Sequence, residues 1–279
     1  KRKIALKEGK KPSYDRTCRD KTEEHPDRPC VIRFKTPLSG EVFFDDIIRG
    51  KITIRCEELD DLVILRSDNT PTYNFTVVVD DALMGVTHII RGDDHINNTP
   101  RQIVIYEAFH YEVPAFAHVP LIHGKDKGRL SKRHGATSLL EYRNTGLLPE
   151  ALMNYLARLG WAYGDQEIFS REELAEKFEL GNVGKSPAIF DMDKLLWLNS
   201  HYMKTLPEST IAERLVPFIG EADMGIEVRA KLIPIVRNLK ERAKTLSEMA
   251  EMARFFFTDD IEYEEKAKEK YLHHDTKPI

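Results

Sequence analysis

Five cations, Lys125, Lys127, Arg129, Lys132 and Arg133, fall within one short, Gly-flanked segment, KDKGRLSKRHGA. Such a loop can wrap a polyphosphate. Cations held on it can stabilise the charge that builds on a phosphoryl group during in-line displacement, where one preorganised contact is worth about 3–4 kcal/mol. Taken alone, the segment reads equally well as a solvated basic turn. Its position after an apolar stretch, AHVPLIH, favours the phosphate reading. A second constellation is Tyr73, Arg91, Asp93, Asp94 and His95, assigned to strand ends or to the turn that follows. Arg91 offers a planar fork suited to two-point binding of a carboxylate. The alternative is a structural ion pair with Asp93 or Asp94, and for Arg91 in isolation that is the stronger reading. The acidic pair Asp80-Asp81 suggests a metal, but adjacent strand residues point to opposite faces. The pair is read as ending a strand.

These groups need elements to hold them. From Cys30 to about Val79, short segments such as CVIRFKTP, GEVFFDDIIRG, KITIRCEELDDLVILRS and TPTYNFTVVVDD, broken by Gly, Pro and Asp, predict a small β-rich unit. THIIR, Thr87 to Arg91, is a compact apolar strand. The polar turn GDDHINN follows, then a helix from about Pro100 with Thr99 as its N-cap. AHVPLIH, Ala117 to His123, is a second strand and completes a strand-helix-strand unit with the spacing of a parallel crossover. Ligands in such folds sit beyond the carboxyl ends of the strands. Here those ends carry RGDDH and GKDKGRLSKRHG. After about Ser138 the pattern turns helical: PEALMNYLARLG repeats an apolar face at Leu152, Tyr155, Leu156 and Leu159 and closes at Gly160. Ser170 with Glu173, and Thr245 with Glu248, match capping boxes. A helical bundle is expected in this half.

At 279 residues the chain is long enough for two or more packed units. Its formal charge of -4 argues against indiscriminate coating of nucleic acid, yet leaves room for a local basic face. No apolar stretch approaches the roughly 20 residues of a membrane span. The sparse cysteines, Cys18, Cys30 and Cys56, fit a reducing cytosol, so a cytoplasmic protein is expected. The basic start, KRKIALKEGKKPSYDR, has neither the apolar core nor the cleavage site of a secretory signal. Cys18, His25 and Cys30 lack paired zinc-ligand spacing, and zinc is not expected. GNVGKS, Gly181 to Ser186, has Glu179 where a P-loop has its first glycine, and is read as a loop between helices. Among ten histidines no general base can be assigned.

The stretches TPTYNFTVVVDDALMGVTHIIRGDDHINNTPRQIVIYEAF and HVPLIHGKDKGRLSKRHGA closely resemble the bacterial-type glutamyl-tRNA synthetases. The resemblance continues through LPEALMNYLARLGWAYGDQEIFS and SPAIFDMDKLLWLN, so it covers most of the chain. RLSKR, Arg129 to Arg133, stands where class I synthetases carry their second signature, the KMSKS loop. The resemblance implies ATP with Mg2+, L-glutamate and tRNA(Glu) as partners, and a glutamyl-adenylate intermediate. It implies that Lys132 contacts the ATP phosphates with Ser131 and Arg133 shaping the loop, that Arg129, Leu130, Asp94 and His95 lie near the nucleotide, and that Tyr73 and Arg91 form the glutamate pocket. It implies no protein-held metal and a monomer.

The resemblance also implies an α/β fold: an incomplete class I Rossmann-type parallel sheet with a β-rich inserted acceptor-binding unit, followed by an all-α region. The expected division is 1–75 for the acceptor-stem unit, 76–140 for the second half of the catalytic domain, 141–205 for a helical stem-contact region, and 206–279 for the start of the anticodon-binding domain. The family's His-Ile-Gly-His-like first signature is not among these residues, so an internal piece is expected that does not activate glutamate by itself. Competing readings are a glutaminyl enzyme, a shortened paralogue that modifies a tRNA base, and a noncatalytic tRNA-binding fragment or regulator.

Overall fold

The structure is a computed structural model that describes residues 9, 14–21, 29–130, 138–220 and 226–257, the side chains of 226–230 excepted. The chain divides into two compact units, one from Lys1–His123, Gly160–Gly164 and Lys177–Ala188, the other from Gly124–Leu159, Asp165–Glu176 and Ile189–Ile279.

In the first unit the strands are β1 (Ile32–Arg33), β2 (Glu41–Asp46), β3 (Gly50–Arg55), β4 (Val63–Leu65), β5 (His88–Gly92), β6 (Ala115–Val119) and β7 (Ile122–His123). Two helices, α1 (Tyr73–Leu83) and α2 (Thr99–Ala108), lie among them. A four-stranded sheet runs in the order β3-β2-β6-β5. β2 and β3 form an antiparallel hairpin, and β5 and β6 run parallel with His88 opposite Ala115 and Gly92 opposite Val119. The crossover expected from the sequence is therefore present, with α2 as its helix. The β-rich segment is divided: β1 and β4 pair antiparallel in a two-stranded sheet of their own, whereas β2 joins β6 in parallel at Asp46 and Phe116. AHVPLIH is not one strand either: β6 ends at Val119, and Pro120, which has no N–H to donate, precedes the short β7.

TPTYNFTVVVDD, read as a strand, forms α1 instead. Its run of β-branched residues costs about 0.5 kcal/mol per residue relative to alanine in a helix. Packing outweighs that cost, because Phe75, Val78 and Ala82 recur at helical spacing and pack against Leu62, Ile105 and Tyr106. Burying Val78 completely returns about 1.5–3 kcal/mol. Asp80 and Asp81 consequently sit in the last turns of a helix, and the expected boundary at 75/76 falls inside α1. α2 is buried on two sides: Ile103 and Val104 meet Phe44 and Phe116 of the sheet, while Ile105 and Tyr106 meet α1.

The second unit holds α3 (Leu139–Asn144), most of α4 (Pro149–Gly160) and α5 (Arg171–Lys177), then α6 (Met192–Thr205), α7 (Glu208–Ile219), α8 (Ile226–Leu239) and α9 (Leu246–Ala253). On α4, Leu152 and Tyr155 are buried as expected, but Leu156 is exposed and Ala151 and Asn154 face inward. Asn154 earns that place by hydrogen bonding: its Oδ1 accepts from Phe169 N at 2.7 Å and Tyr202 Oη at 2.8 Å. The Ser170 box closes in both directions, at 2.8 and 3.0 Å. At Thr245 one half of the box forms, and Glu248 reaches one residue further back, to Lys244 N at 2.7 Å. Ile211, Leu215, Leu232, Val236 and Met249 make the core shared by α7, α8 and α9.

The fully buried Asn199 clamps this unit. Its Oδ1 accepts from Leu148 N at 2.7 Å and its Nδ2 donates to Lys244 O at 2.6 Å. Asn199→Ala strands the buried Leu148 N–H and releases Lys244 O, and should lower unfolding free energy by about 1–3 kcal/mol in a urea titration, the cost of one unsatisfied buried group.

Candidate functional site

The register of β5 on β6 sets Arg91 beside His118 near the carboxyl ends of both strands. On β6, Phe116 and His118 share one face, and on β2 the alternation buries Val42, Phe44 and Asp46. Two elements thus deliver polar side chains to one interior point. His118 Nδ1 lies 2.6 Å from Asp46 Oδ2, and both side chains are completely buried. Asp46 also accepts from the backbone N–H groups of Ile48 at 3.0 Å, Arg49 at 2.8 Å and His118 at 3.1 Å. Burial alone would raise its pKa, but these hydrogen bonds outweigh it and hold the carboxyl below its ordinary range. Burial pushes His118 down from its ordinary value against the pull of Asp46, so the ring is neutral.

Arg91 extends the chain of contacts. Its Nε donates to His118 Nε2 at 3.1 Å, and its Nη2 donates to Thr99 Oγ1 and Gln102 Oε1, both at 2.8 Å. Gln102 is anchored in turn by donating to Asn74 Oδ1 at 3.1 Å. The guanidinium lies 5.7 Å from the centre of the Phe116 ring. Burial pulls its pKa below the ordinary value, opposed by the nearby Tyr73, Asp81 and Tyr106. These three hydrogen-bonded partners are uncharged, and the Asp81 carboxylate acts on the guanidinium only from beyond ion-pair distance, so a partly buried cation stands at the strand ends with no carboxylate in direct contact among the described residues. An anion is its natural complement.

The other groups singled out in the sequence fall into place around it. Tyr73, in the first turn of α1, sets its hydroxyl 3.4 Å from His95 Nδ1. His95 and Asp94 lie in the 3-10 turn Asp93–Asn98, with Asp94 exposed. The ion pair considered for Arg91 is not made with Asp93, which binds Arg49 Nη2 at 2.6 Å. Thr99 is not an N-cap: it lies inside α2, and its hydroxyl serves Arg91 and His118. Asp81 is raised by burial, with Arg91 pulling the other way. Behind the site, Tyr106 has a buried hydroxyl with no hydrogen-bond partner among the described residues, and burial pushes the phenol up to about 12.

In the second unit the turn Gly124–Gly128 closes through Gly124 N to Gly128 O at 2.9 Å, with Lys127 at φ 63°. Lys125 pairs there with Asp191 at 3.3 Å and Asp193 at 3.4 Å, contacts that raise its pKa. Arg129 is exposed and Leu130 partly buried. Ser131, Lys132 and Arg133 lie outside the described residues. Cys18 and Cys30 are exposed free thiols, His25 lies outside the described residues, and among the described residues no group of three or more His, Cys, Asp or Glu is placed to hold a metal ion. No described helix is long and apolar enough to cross a membrane.

Asp46, His118, Gln102 and Asn74 do not stand out in the sequence. A signal existed for two of them. Strict alternation along VFFDD puts Asp46 on the same face as Val42 and Phe44, and AFAHV does the same for His118 and Phe116.

Residues 1–197 match the catalytic domain of class I tRNA synthetases (E and Q). The chain belongs to this synthetase family. Residues 210–279 match an anticodon binding domain. Glutamate–tRNA ligases of Geobacter sulfurreducens and Geotalea uraniireducens are each 56% identical, and the chain aligned over its whole length covers 60% of each. Among solved structures, a glutamate tRNA ligase from Elizabethkingia meningosepticum in complex with its amino acid is similar with a TM-score of 0.78 and 32% identity, over 96% of this chain and 60% of that one. The chain therefore spans about 60% of the length of the curated relatives it matches. A mixed α/β fold with parallel strand pairing, as the synthetase resemblance implied, is present.

A partly buried cation carries a desolvation cost, but Arg91→Met also takes the donor from the buried acceptors of His118, Thr99 and Gln102. Arg91→Met should therefore lower the unfolding free energy by about 1–3 kcal/mol in calorimetry, the cost of unsatisfied buried groups offset in part by relief of the desolvated charge. An unchanged or higher unfolding midpoint would count against these hydrogen bonds.

Proposed function

We propose that the full-length protein joins L-glutamate to tRNA(Glu) through a glutamyl-adenylate. The observation that carries this reading is the guanidinium of Arg91, hydrogen-bonded to neutral partners beside the Tyr73 hydroxyl with no carboxylate in direct contact among the described residues. A side-chain carboxylate completes that arrangement and an amide does not. Removing one partner of a desolvated charge pair costs about 2–5 kcal/mol, which converts to roughly 30-fold or more between glutamate and glutamine.

In the first step an oxygen of the glutamate α-carboxylate attacks the α-phosphorus of ATP, and pyrophosphate leaves. A terminal hydroxyl of tRNA then attacks the acyl carbon, releasing AMP. Mg2+ enters with ATP as part of the nucleotide substrate. Lys132 holds the phosphates, with Ser131 and Arg133 shaping the loop and Arg129 and Leu130 leading into it. Asp94 and His95 face the nucleotide, and Tyr73 and Arg91 face the glutamate side chain. Helices from about residue 206 onward take the anticodon end, in keeping with the domain match there. That match, and the glutamate–tRNA ligases of Geobacter sulfurreducens and Geotalea uraniireducens among its relatives, speak against the shortened base-modifying and glutaminyl alternatives.

The test is pyrophosphate exchange into ATP by the full-length protein, with tRNA present. Glutamate should support exchange and glutamine should not. Lys132→Ala should cut the rate about 100-fold, the usual cost of losing one preorganised contact to a developing anion. Exchange with glutamine at the glutamate rate would overturn the assignment.

A further inference from the structure

Arg91 is useful to a carboxylate only if its guanidinium points one way, and a long side chain at a strand end has no intrinsic reason to do so. We propose that Asp46 and His118 form a positioning relay that fixes the direction of the Arg91 guanidinium, so that the hydrogen-bond polarity set at Asp46 governs carboxylate affinity at the opposite end. This inference rests on the reading of Arg91 as the group that binds the glutamate side chain.

The polarity follows from the distances. Asp46 Oδ1 is occupied by the N–H groups of Ile48 at 3.0 Å and Arg49 at 2.8 Å, which leaves Oδ2, at 2.6 Å, to face His118 Nδ1. An ionised carboxylate only accepts, so Nδ1 carries the ring proton. Nε2 then presents a lone pair, and Arg91 Nε donates to it at 3.1 Å. Thr99 Oγ1, 3.2 Å from the same Nε2, accepts from Arg91 Nη2 at 2.8 Å and brackets the guanidinium from the side. Nε and Nη2 are engaged in these bonds, and Nη1 takes part in none of them. The neutral ring also keeps the Asp46 charge away from Arg91. A carboxylate in direct contact would satisfy the guanidinium and compete with substrate; a neutral ring orients it and leaves its charge available.

Asp46→Asn separates this role from simple packing. The amide oxygen keeps the place of Oδ1, because two N–H donors point at it. The amide nitrogen then stands where Oδ2 stood and donates to Nδ1, which drives the ring proton to Nε2 and sets two donors, Nε2–H and the Arg91 Nε–H, against each other. His118→Gln is the conservative counterpart, because its amide can donate to Asp46 and accept from Arg91.

In pyrophosphate exchange by the full-length protein, Asp46→Asn should raise the glutamate KM about tenfold, the loss expected when one hydrogen bond to a charged group is turned against itself, while the ATP KM stays within about threefold. His118→Gln should hold its glutamate KM within about threefold of the parent. Ring 15N chemical shifts of His118 should show Nδ1 protonated in the parent and Nε2 protonated in Asp46→Asn. An unchanged glutamate KM in Asp46→Asn, glutamate and ATP KM values rising together, or His118→Gln failing as badly as Asp46→Asn would each overturn the relay. Arg91→Met separates the two levels. If it raises the glutamate KM while Asp46→Asn does not, the relay alone falls; if it leaves the glutamate KM unchanged, the carboxylate reading falls with it.

Discussion

The parallel register between β5 and β6 is the constraint from which the site follows. With His88 opposite Ala115 and Gly92 opposite Val119, Arg91 and His118 become neighbours across the ladder. Side chains alternate along a strand, so a slip of one residue would turn His118 to the other face and replace it with Ala117 or Val119. No such replacement could accept a hydrogen bond from Arg91. The apolar cluster of Phe44, Phe116, Ile103 and Val104 holds the register in place by giving each strand one face that must stay covered. Binding geometry and core packing are thus consequences of the same pairing.

Asp46 explains why the β2-β3 hairpin belongs to this sheet. β2 touches β6 at a single paired position, Asp46 with Phe116, and that short ladder would be a weak join by itself. The buried carboxylate strengthens it with hydrogen bonds from its own turn, at Ile48 and Arg49, and from His118 across the sheet. A buried charge left alone would be costly, but here it is met by N–H donors and its proton affinity falls accordingly. Arg49, whose own N–H helps hold Asp46, sends its side chain to Asp93 at the end of β5. The hairpin is therefore tied to both strands that carry the candidate site.

Much of the frame was legible because it rests on strong local signals. Thr87 to Arg91 is apolar between polar turns, Ser170 and Glu173 have capping-box spacing, and Pro149 opens a helix; each appears in the structure close to where the pattern put it. TPTYNFTVVVDD was not legible as a helix from its residue types, because Thr and Val favour strands. Its helical periodicity, Phe75, Val78 and Ala82, was the better guide, and tertiary burial made it decisive. The cationic loop and Arg91 announced themselves by charge, but their supports did not. Thr99, Gln102 and Asn74 are ordinary helix residues until the crossover folds over β5, and an aspartate and a histidine 72 positions apart carry no mutual signal along the chain.

The two candidate groups, each within its own unit, are held in different ways, and the tasks proposed for them account for the difference. Lys125, at the base of the cationic turn, is exposed and pairs with two exposed aspartates, so its contacts are screened by water and can be exchanged for a phosphate at little cost. A polyphosphate is large, multiply charged and shed after each turnover, which suits a solvated, adaptable partner. The task proposed for Arg91 is instead to distinguish a carboxylate from an amide of nearly the same shape. That distinction needs a charge that is partly withdrawn from water and cannot turn to satisfy itself elsewhere. Neutral acceptors from α2 and β6 meet both needs: they restrain the guanidinium without cancelling it. A salt bridge in their place would cancel the charge and make a poorer judge of the side chain.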